Sequence, residues 1–371
     1  MFTNSHKRLT TGILSIFLFL SVSESFSQTV LKDFQGMKGT FFTHKIRGDA
    51  DSLSSLEITE LRDNKGVPVW FSRDFFKMVC LTGECRMIRI KIYWTGAATY
   101  LGIQISENNP LTKNDHTKFS LDDYKKLDLV LSDSLSILKG LAMDDLTFKT
   151  KKDNRDNEVD GYTSATPLVL SYYVVKDAVY TCYTLWHTVY GNTLKEIRAA
   201  LDQRVNNKYL SLIFEKKDPG YICWGIGFIK RNPLYHDAFY RKILEQVKSP
   251  DIAVSTKAIQ YFTHGNLLDA RIQAELVSLV GEVSSQNKFE IFRSFSTVSK
   301  TSNEAILVML KQYENKRISV GFLKYVCNLI RTANLKDKRI INKLKNLLKD
   351  ESLYVRNLIE KLLQHNLKKT E

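Results

Sequence analysis

The chain has 371 residues, 43% of them hydrophobic and 25% charged. That composition excludes general disorder and leaves enough apolar material for two domains, or for one domain and an array. A formal charge of +14 fits an anionic partner: nucleic acid, a membrane face or an acidic protein.

At the start of the chain, Lys7 and Arg8 precede an apolar run from Ile13 to Val22, and Ser25-Phe26-Ser27 supplies small residues beyond it. Residues 1–27 are therefore expected to be an export signal, which places the mature protein in the periplasm or outside the cell. No later stretch reaches the roughly 18 uninterrupted apolar residues of a transmembrane helix, so no membrane span is expected after signal removal. Export argues against nucleic acid as the partner, and the charge then reads as solvation or as attraction to acidic proteins and surfaces.

Residues 28–194 read as an α+β domain. Leu56–Leu61 and Met87–Trp94 alternate apolar and polar residues, the pattern of strands with one buried face, and Thr99–Ile105 reads as a further strand. Cys80 and Cys85 flank Leu81–Glu84 between the strand-like runs Phe75–Val79 and Met87–Tyr93, an arrangement that suits a hairpin closed by a local disulfide. A redox-active pair is the alternative, although the spacing is not Cys-x-x-Cys. Cys182, Cys223 and Cys327 leave at least one thiol unpaired. Ser120-Leu121-Asp122-Asp123 has the form of a capping box, and Leu121, Tyr124, Leu127, Leu129 and Leu131 give the apolar positions of the helix that follows. A charged connector, Lys149–Val159, leads on to Asp160.

Residues 195–371 change to continuous helix with short polar breaks at Asp218-Pro219, Ser249-Pro250, Ser284-Ser285, Asn315-Lys316 and Asp350-Glu351, at intervals of 31, 35, 31 and 35 residues. That period belongs to paired-helix solenoids. The last unit, Asp350–Leu363, resembles the second helix of a HEAT repeat: an acidic turn, then Val355 and Arg356, then Leu/Ile at helical spacing. The expected fold is thus an α+β domain followed by an all-α solenoid of HEAT-like repeats. The final segment, Arg331–Glu371, is rich in Lys and Arg, with Lys336, Lys338, Arg339, Lys343 and Lys345 on its first helix. Such a run is the polar face of a capping repeat or a groove for an acidic partner.

The most informative stretch for function is Asp160-Gly161-Tyr162-Thr163-Ser164-Ala165-Thr166, followed by Pro167. It resembles the flavinylation motif of the FMN-binding domain family, Asp-Gly-x-Ser/Thr-Gly-Ala-Thr. Asp160, Gly161, Thr163, Ala165 and Thr166 fall in place, and Ser164 stands where the family has glycine. The resemblance covers residues 70–195, loosely outside the motif. It implies FMN joined covalently through its phosphate to Thr166, with Asp160, Gly161, Thr163, Ser164 and Ala165 forming the turn around it. It also implies a flavin transferase for maturation and a redox partner protein. The chain would be an exported electron-transfer flavoprotein rather than a stand-alone enzyme. Covalent attachment suits export, because no free FMN pool would refill an empty site outside the cytoplasm.

A threonine followed by proline is also a common way to begin a helix, with Thr166 as N-cap and Pro167 as the first helical residue. In the flavin reading, the helix N-terminus would seat the phosphate, and Tyr162, Tyr183 and Trp186 are ring-packing candidates that serve equally as core. The alternative function is a non-catalytic interaction protein with a degenerate FMN-binding-like domain. Asp115-His116 and Cys182 with His187 lack a third catalytic member, and no Walker loop, HExxH or GxSxG sequence occurs. Gly225-Ile226-Gly227 reads as close helix packing.

Overall fold

A computed structural model describes residues 38–46, 54–78, 87–105, 108–146, 168–263 and 265–367. The N-terminal part carries strands β1 (Thr40–Lys45), β2 (Glu57–Arg62), β3 (Pro68–Lys77), β4 (Ile88–Thr95) and β5 (Tyr100–Ile105). They form one sheet in the order β1-β2-β3-β4-β5. Helices follow: α1 (Leu121–Ser132), α2 (Leu168–Ser171), α3 (Val179–Val189), α4 (Asn192–Asp202), α5 (Asn207–Glu215), α6 (Pro219–Arg231), α7 (His236–Gln246), α8 (Ile252–Tyr261), α9 (Ala270–Ser278), α10 (Ser285–Phe295), α11 (Asn303–Glu314), α12 (Val320–Leu329), α13 (Lys338–Leu347) and α14 (Leu353–Leu367). The chain is a strand-rich α+β part followed by an all-helical part, as its sequence leads one to expect. β1 is an addition. Its side chains are almost all exposed, so the run lacks the buried alternate positions that announce a strand.

Two compact units are present. The described residues of 74–92 and 102–185 form one, and those of 34–73, 93–101 and 186–371 form the other.

In the first unit, α1 opens on a complete capping box. Ser120 Oγ accepts the Asp123 N–H at 3.2 Å, and Asp123 Oδ2 accepts the Ser120 N–H at 2.9 Å. The helix buries Tyr124, Leu127, Val130 and Leu131, while Leu121 and Leu129 are exposed. Leu129 lies two residues from both Leu127 and Leu131, which at 3.6 residues per turn puts it on the far side of the helix. The Tyr124 hydroxyl accepts the Leu111 N–H at 3.0 Å, and Lys126 Nζ donates to the Tyr172 carbonyl at 2.8 Å.

In the second unit, β1 and β2 run antiparallel with Phe42 opposite Glu60 and His44 opposite Ile58. β2 and β3 pair with Glu60 opposite Phe71, and the register shifts between Leu61 and Arg62. The β2–β3 turn is held by Asp63, whose Oδ1 accepts the N–H groups of Lys65 and Val67 at 3.0 and 2.9 Å. Gly66 takes φ +79 there, a conformation glycine adopts without strain. Val67 and Ala97 pack with Tyr209, Ile213 and Tyr221 in a small buried cluster, and the Tyr221 hydroxyl donates to the Pro68 carbonyl.

The helices from α5 onward share a continuous apolar core. α6, α8, α10, α12 and α14 begin 33, 33, 35 and 33 residues apart. α8 packs on α6 and α10, and α12 on α10 and α14, while α11 packs on α9 and α13. Adjacent helices also pair as α5 with α6, α7 with α8, α11 with α12 and α13 with α14. Caps explain the starts: Asp218, Asp251 and Ser284 each accept a first-turn N–H ahead of α6, α8 and α10. Gly225 sits where α6 meets α5; a Cβ there would stand 3.2 Å from Ile213 Cγ2, which bears out the close-packing expectation. Buried amides join one helical pair to the next. Gln273 Nε2 donates to the carbonyls of Leu267 (2.7 Å) and Lys300 (3.0 Å), and Asn334 Nδ2 to Thr301 O (3.0 Å) and Asn303 Oδ1 (2.8 Å).

Candidate functional site

Asp160, Gly161, Thr163, Ser164, Ala165 and Thr166 lie outside the described residues, as do Cys80 and Cys85 and residues 1–27. Beyond the motif, the chain is described again from Leu168, where α2 is a single turn of four residues. The expected seat for a phosphate, a helix opening at Thr166 and Pro167, falls outside the described residues. Of the ring-packing candidates, Trp186 is buried, with its ring 4.6 Å from that of Tyr190. Tyr183 is half-buried and donates to the Leu141 carbonyl at 3.2 Å. Both serve packing. Tyr172 and Tyr173, which the sequence pattern did not single out, are 75% and 53% exposed and lie a few residues past the motif.

The minor catalytic candidates resolve into structure. Asp115 is the acceptor of a tight turn, taking the Thr117 N–H at 3.1 Å and its hydroxyl at 2.7 Å. Those hydrogen bonds hold its carboxyl below the usual carboxylate range. His116 has φ +62 in the same turn, which is closed by pairing of Thr112 with Lys118. Cys182 is fully buried, its Sγ accepting the Val175 N–H at 3.3 Å. Burial pushes its thiol up to about 12, which removes it as a nucleophile at neutral pH. Among the described residues, no cluster of His, Cys, Asp and Glu is placed to hold a metal ion, and no helix is long and apolar enough to cross a membrane.

The strongest electrostatic feature is one the sequence pattern does not disclose. Glu60 is polar, yet it stands in step with Leu56 and Ile58 along the strand and its side chain is 0% exposed. The register explains why: Phe42, His44, Ile58, Glu60 and Arg62 share one face of β1 and β2. Arg62 grips the carboxylate through Nε (2.8 Å) and Nη2 (2.9 Å), and Arg204, just past α4, grips it through Nη1 (2.5 Å) and Nη2 (3.2 Å). His44 Nε2 also bonds to Glu60 Oε2. Burial alone would raise the carboxyl, but the hydrogen bonds from Arg62 and Arg204 outweigh it and bring the pKa from 4.5 to about 2. Arg62 also lies 3.8 Å over the Phe42 ring. With every carboxylate oxygen engaged, this centre is an anchor for β1, β2 and the α4–α5 segment, not an acid or base for a substrate.

Neither a family model, nor a curated protein, nor a solved structure matches the chain.

The remaining candidate is a surface. α8, α10, α12 and α14 bury equivalent positions: Val254, Ala258 and Ile259 on α8; Ile291 and Phe292 on α10; Leu323, Val326 and Cys327 on α12; Val355 and Ile359 on α14. The opposite positions form an outward face carrying Phe289, Tyr325 and Tyr354, all exposed. The rings of Phe289 and Tyr325 meet edge-on at 6.1 Å across α10 and α12. Single exposed apolar residues are ordinary, but rings touching across two helices are a contiguous patch of the kind that marks an interaction site.

Proposed function

We propose that the chain is an exported electron-transfer flavoprotein that carries FMN covalently on Thr166 and uses its helical part to dock a partner protein. The observation that carries this reading is the Asp160–Thr166 stretch, in which five of the motif's defining positions are filled. Thr166 Oγ1 would bear the phosphate, with Asp160, Gly161, Thr163, Ser164 and Ala165 forming the surrounding turn. When bound, FMN supplies one- and two-electron transfer, and the protein's part is to hold and orient it. Exposed Tyr172 and Tyr173 support the fit, since they offer aromatic surface a few residues beyond Thr166. Lys126 fixes the backbone at Tyr172. Maturation would require a flavin transferase in the same compartment, periplasmic or outside the cell.

The docking role rests on the regular pairing of α5 to α14, which we read as a solenoid of HEAT-like repeats. A shared core with helix starts 33 to 35 residues apart supports that reading. Residues 28–194 would be the FMN-binding-like domain and 195–371 the repeat domain.

A second reading is a non-catalytic interaction protein whose FMN-binding-like domain has lost the flavin. Ser164 in the glycine position favours it. Absorbance separates the two: co-expressed with a flavin transferase and exported, the wild-type protein is expected to be yellow and the Thr166→Val variant colourless. A colourless wild type leaves the interaction protein.

A further inference from the structure

We infer that β1 is a self-pairing edge: two copies of the chain join their β1 strands antiparallel, about a two-fold axis at Thr43. The inference concerns the sheet alone and is independent of the flavin.

β1 is the last strand on its side of the sheet. The Ile46 N–H donates to the Leu56 carbonyl at 2.8 Å, and the ladder runs from there through Lys45 opposite Glu57 to Thr40 opposite Arg62. Residues of an antiparallel strand turn their backbone groups to its neighbour alternately. Thr40, Phe42 and His44 therefore bond to β2, and Phe41, Thr43 and Lys45 turn their N–H and C=O groups outward. Among the described residues those outward groups meet no partner.

An open edge of this kind invites another strand, and proteins commonly blunt it with proline, a bulge or a row of charges. Thr40–Lys45 contains no proline, and its ladder with β2 runs through all six residues without a shift. Its one lysine stands at the end. Beside the open edge, Phe41 is 64% exposed and Phe42 37%.

The strand is its own complement. An antiparallel neighbour must set outward residues against outward residues. Applied to a second β1, one register does so with all three: Phe41 opposite Lys45, Thr43 opposite Thr43, and Lys45 opposite Phe41. That join makes about six hydrogen bonds. The side chains agree with it. Each Lys45 ammonium comes beside the Phe41 ring of the other copy, a cation–π pairing of the kind Arg62 makes with Phe42 at 3.8 Å. Thr43 pairs with Thr43, and on the opposite face His44 stands across from Phe42, so no like charges are directly opposed. A strand of another protein would satisfy the backbone equally. The match of Phe41 to Lys45, made twice by one symmetric join, selects a second copy.

A six-residue join buries less than the roughly 1,200 Å² of stable complexes, so the dimer is weak, with Kd of about 10–100 μM. The net charge of +14 opposes association, and raising the salt should therefore tighten it.

Analytical ultracentrifugation of the full mature chain, from about 5 to 500 μM, tests this directly. A monomer–dimer equilibrium that tightens with salt is expected. Thr43→Pro removes only an outward N–H, which an edge strand tolerates; it should leave the monomer folded by thermal melting and weaken the dimer at least tenfold. Thr43→Val should dimerise as wild type. Phe41→Lys, which sets a lysine against Lys45 of the other copy, should also weaken the dimer about tenfold and serves if Thr43→Pro does not fold. Register is read by cross-linking: Thr43→Cys should form an intermolecular disulfide under mild oxidation, since paired Cα atoms there stand about 5.5 Å apart, and Phe41→Cys should not. A monomer at every concentration would leave the edge to another protein and overturn the inference. A dimer unaffected by both Thr43→Pro and Phe41→Lys, or one in which Phe41→Cys cross-links as readily as Thr43→Cys, would overturn it too.

Discussion

Arg204 and Glu60, 144 residues apart in sequence, meet through two hydrogen bonds, Nη1 to Oε1 at 2.5 Å and Nη2 to Oε2 at 3.2 Å. The contact fastens β2 to the turn between α4 and α5. Arg62 completes the clamp on the same carboxylate, so a wholly buried charge is matched by two guanidinium groups that themselves reach solvent.

Glu60→Gln removes the negative charge and leaves both arginines facing an amide. Breaking one partner of a buried ion pair is strongly destabilising. Because the guanidinium groups are partly solvated, a loss of about 2–3 kcal/mol is expected, read as a lowered midpoint in urea with an unchanged slope. A change within experimental error would mean that the clamp contributes nothing net.

The same carboxylate makes stability fall in acid. Its pKa is 4.5 when unfolded and about 2 when folded, so its contribution is complete above pH 4.5 and disappears as the pH falls towards 2. The amount at stake is about 3 kcal/mol. Glu60→Gln should flatten this part of the stability profile between pH 5 and 2, measured by urea denaturation at fixed pH values. A variant as acid-sensitive as wild type would assign the loss to other carboxylates.

Asn334 ties consecutive helical pairs together: Oδ1 accepts the Arg331 N–H at 2.9 Å while Nδ2 donates to Thr301 and Asn303. Asn334→Leu leaves those groups buried without partners, at a cost of about 1–3 kcal/mol. Thermal melting and hydrogen exchange at Arg331 and neighbouring amides would show it. Asn342→Leu, on the exposed side of α13, should stay within about 0.5 kcal/mol of wild type.

Thiol labelling should sort the cysteines. Burial pushes both Cys182 and Cys327 up to about 12, and burial also raises half-buried Cys223. In the native protein, iodoacetamide at pH 8 should reach Cys223 first, and Cys182 and Cys327 only on unfolding. Cys80 and Cys85, proposed to be bridged, should label only after reduction. Immediate labelling of either without reductant would remove the disulfide.

The features legible in the sequence are those written in local spacing. Ser120 and Asp123 stand three residues apart and form the capping box that their types announce. The polar breaks after residue 195 lie at or close to the starts of α6, α8, α10, α12 and α14, because a chain reversing between packed helices needs caps and turns at each end. β1 is illegible because an exposed strand has no apolar face to display. The role of Glu60 is hidden because alternation marks a face but not its burial, and the residue that makes its burial tolerable, Arg204, is distant in sequence. The Phe289–Tyr325 contact is hidden for a similar reason: each ring looks like an ordinary amphipathic position until two helices are set side by side.

The central claim is chemical: that Thr166 bears a flavin. Mass spectrometry of the mature chain purified from its native host tests it most directly. The predicted result is a polypeptide heavier by one phosphoester-linked FMN, with the added mass on the peptide containing Thr166 and absent from Thr166→Val. An intact chain at its unmodified mass, colourless in visible light, would contradict it.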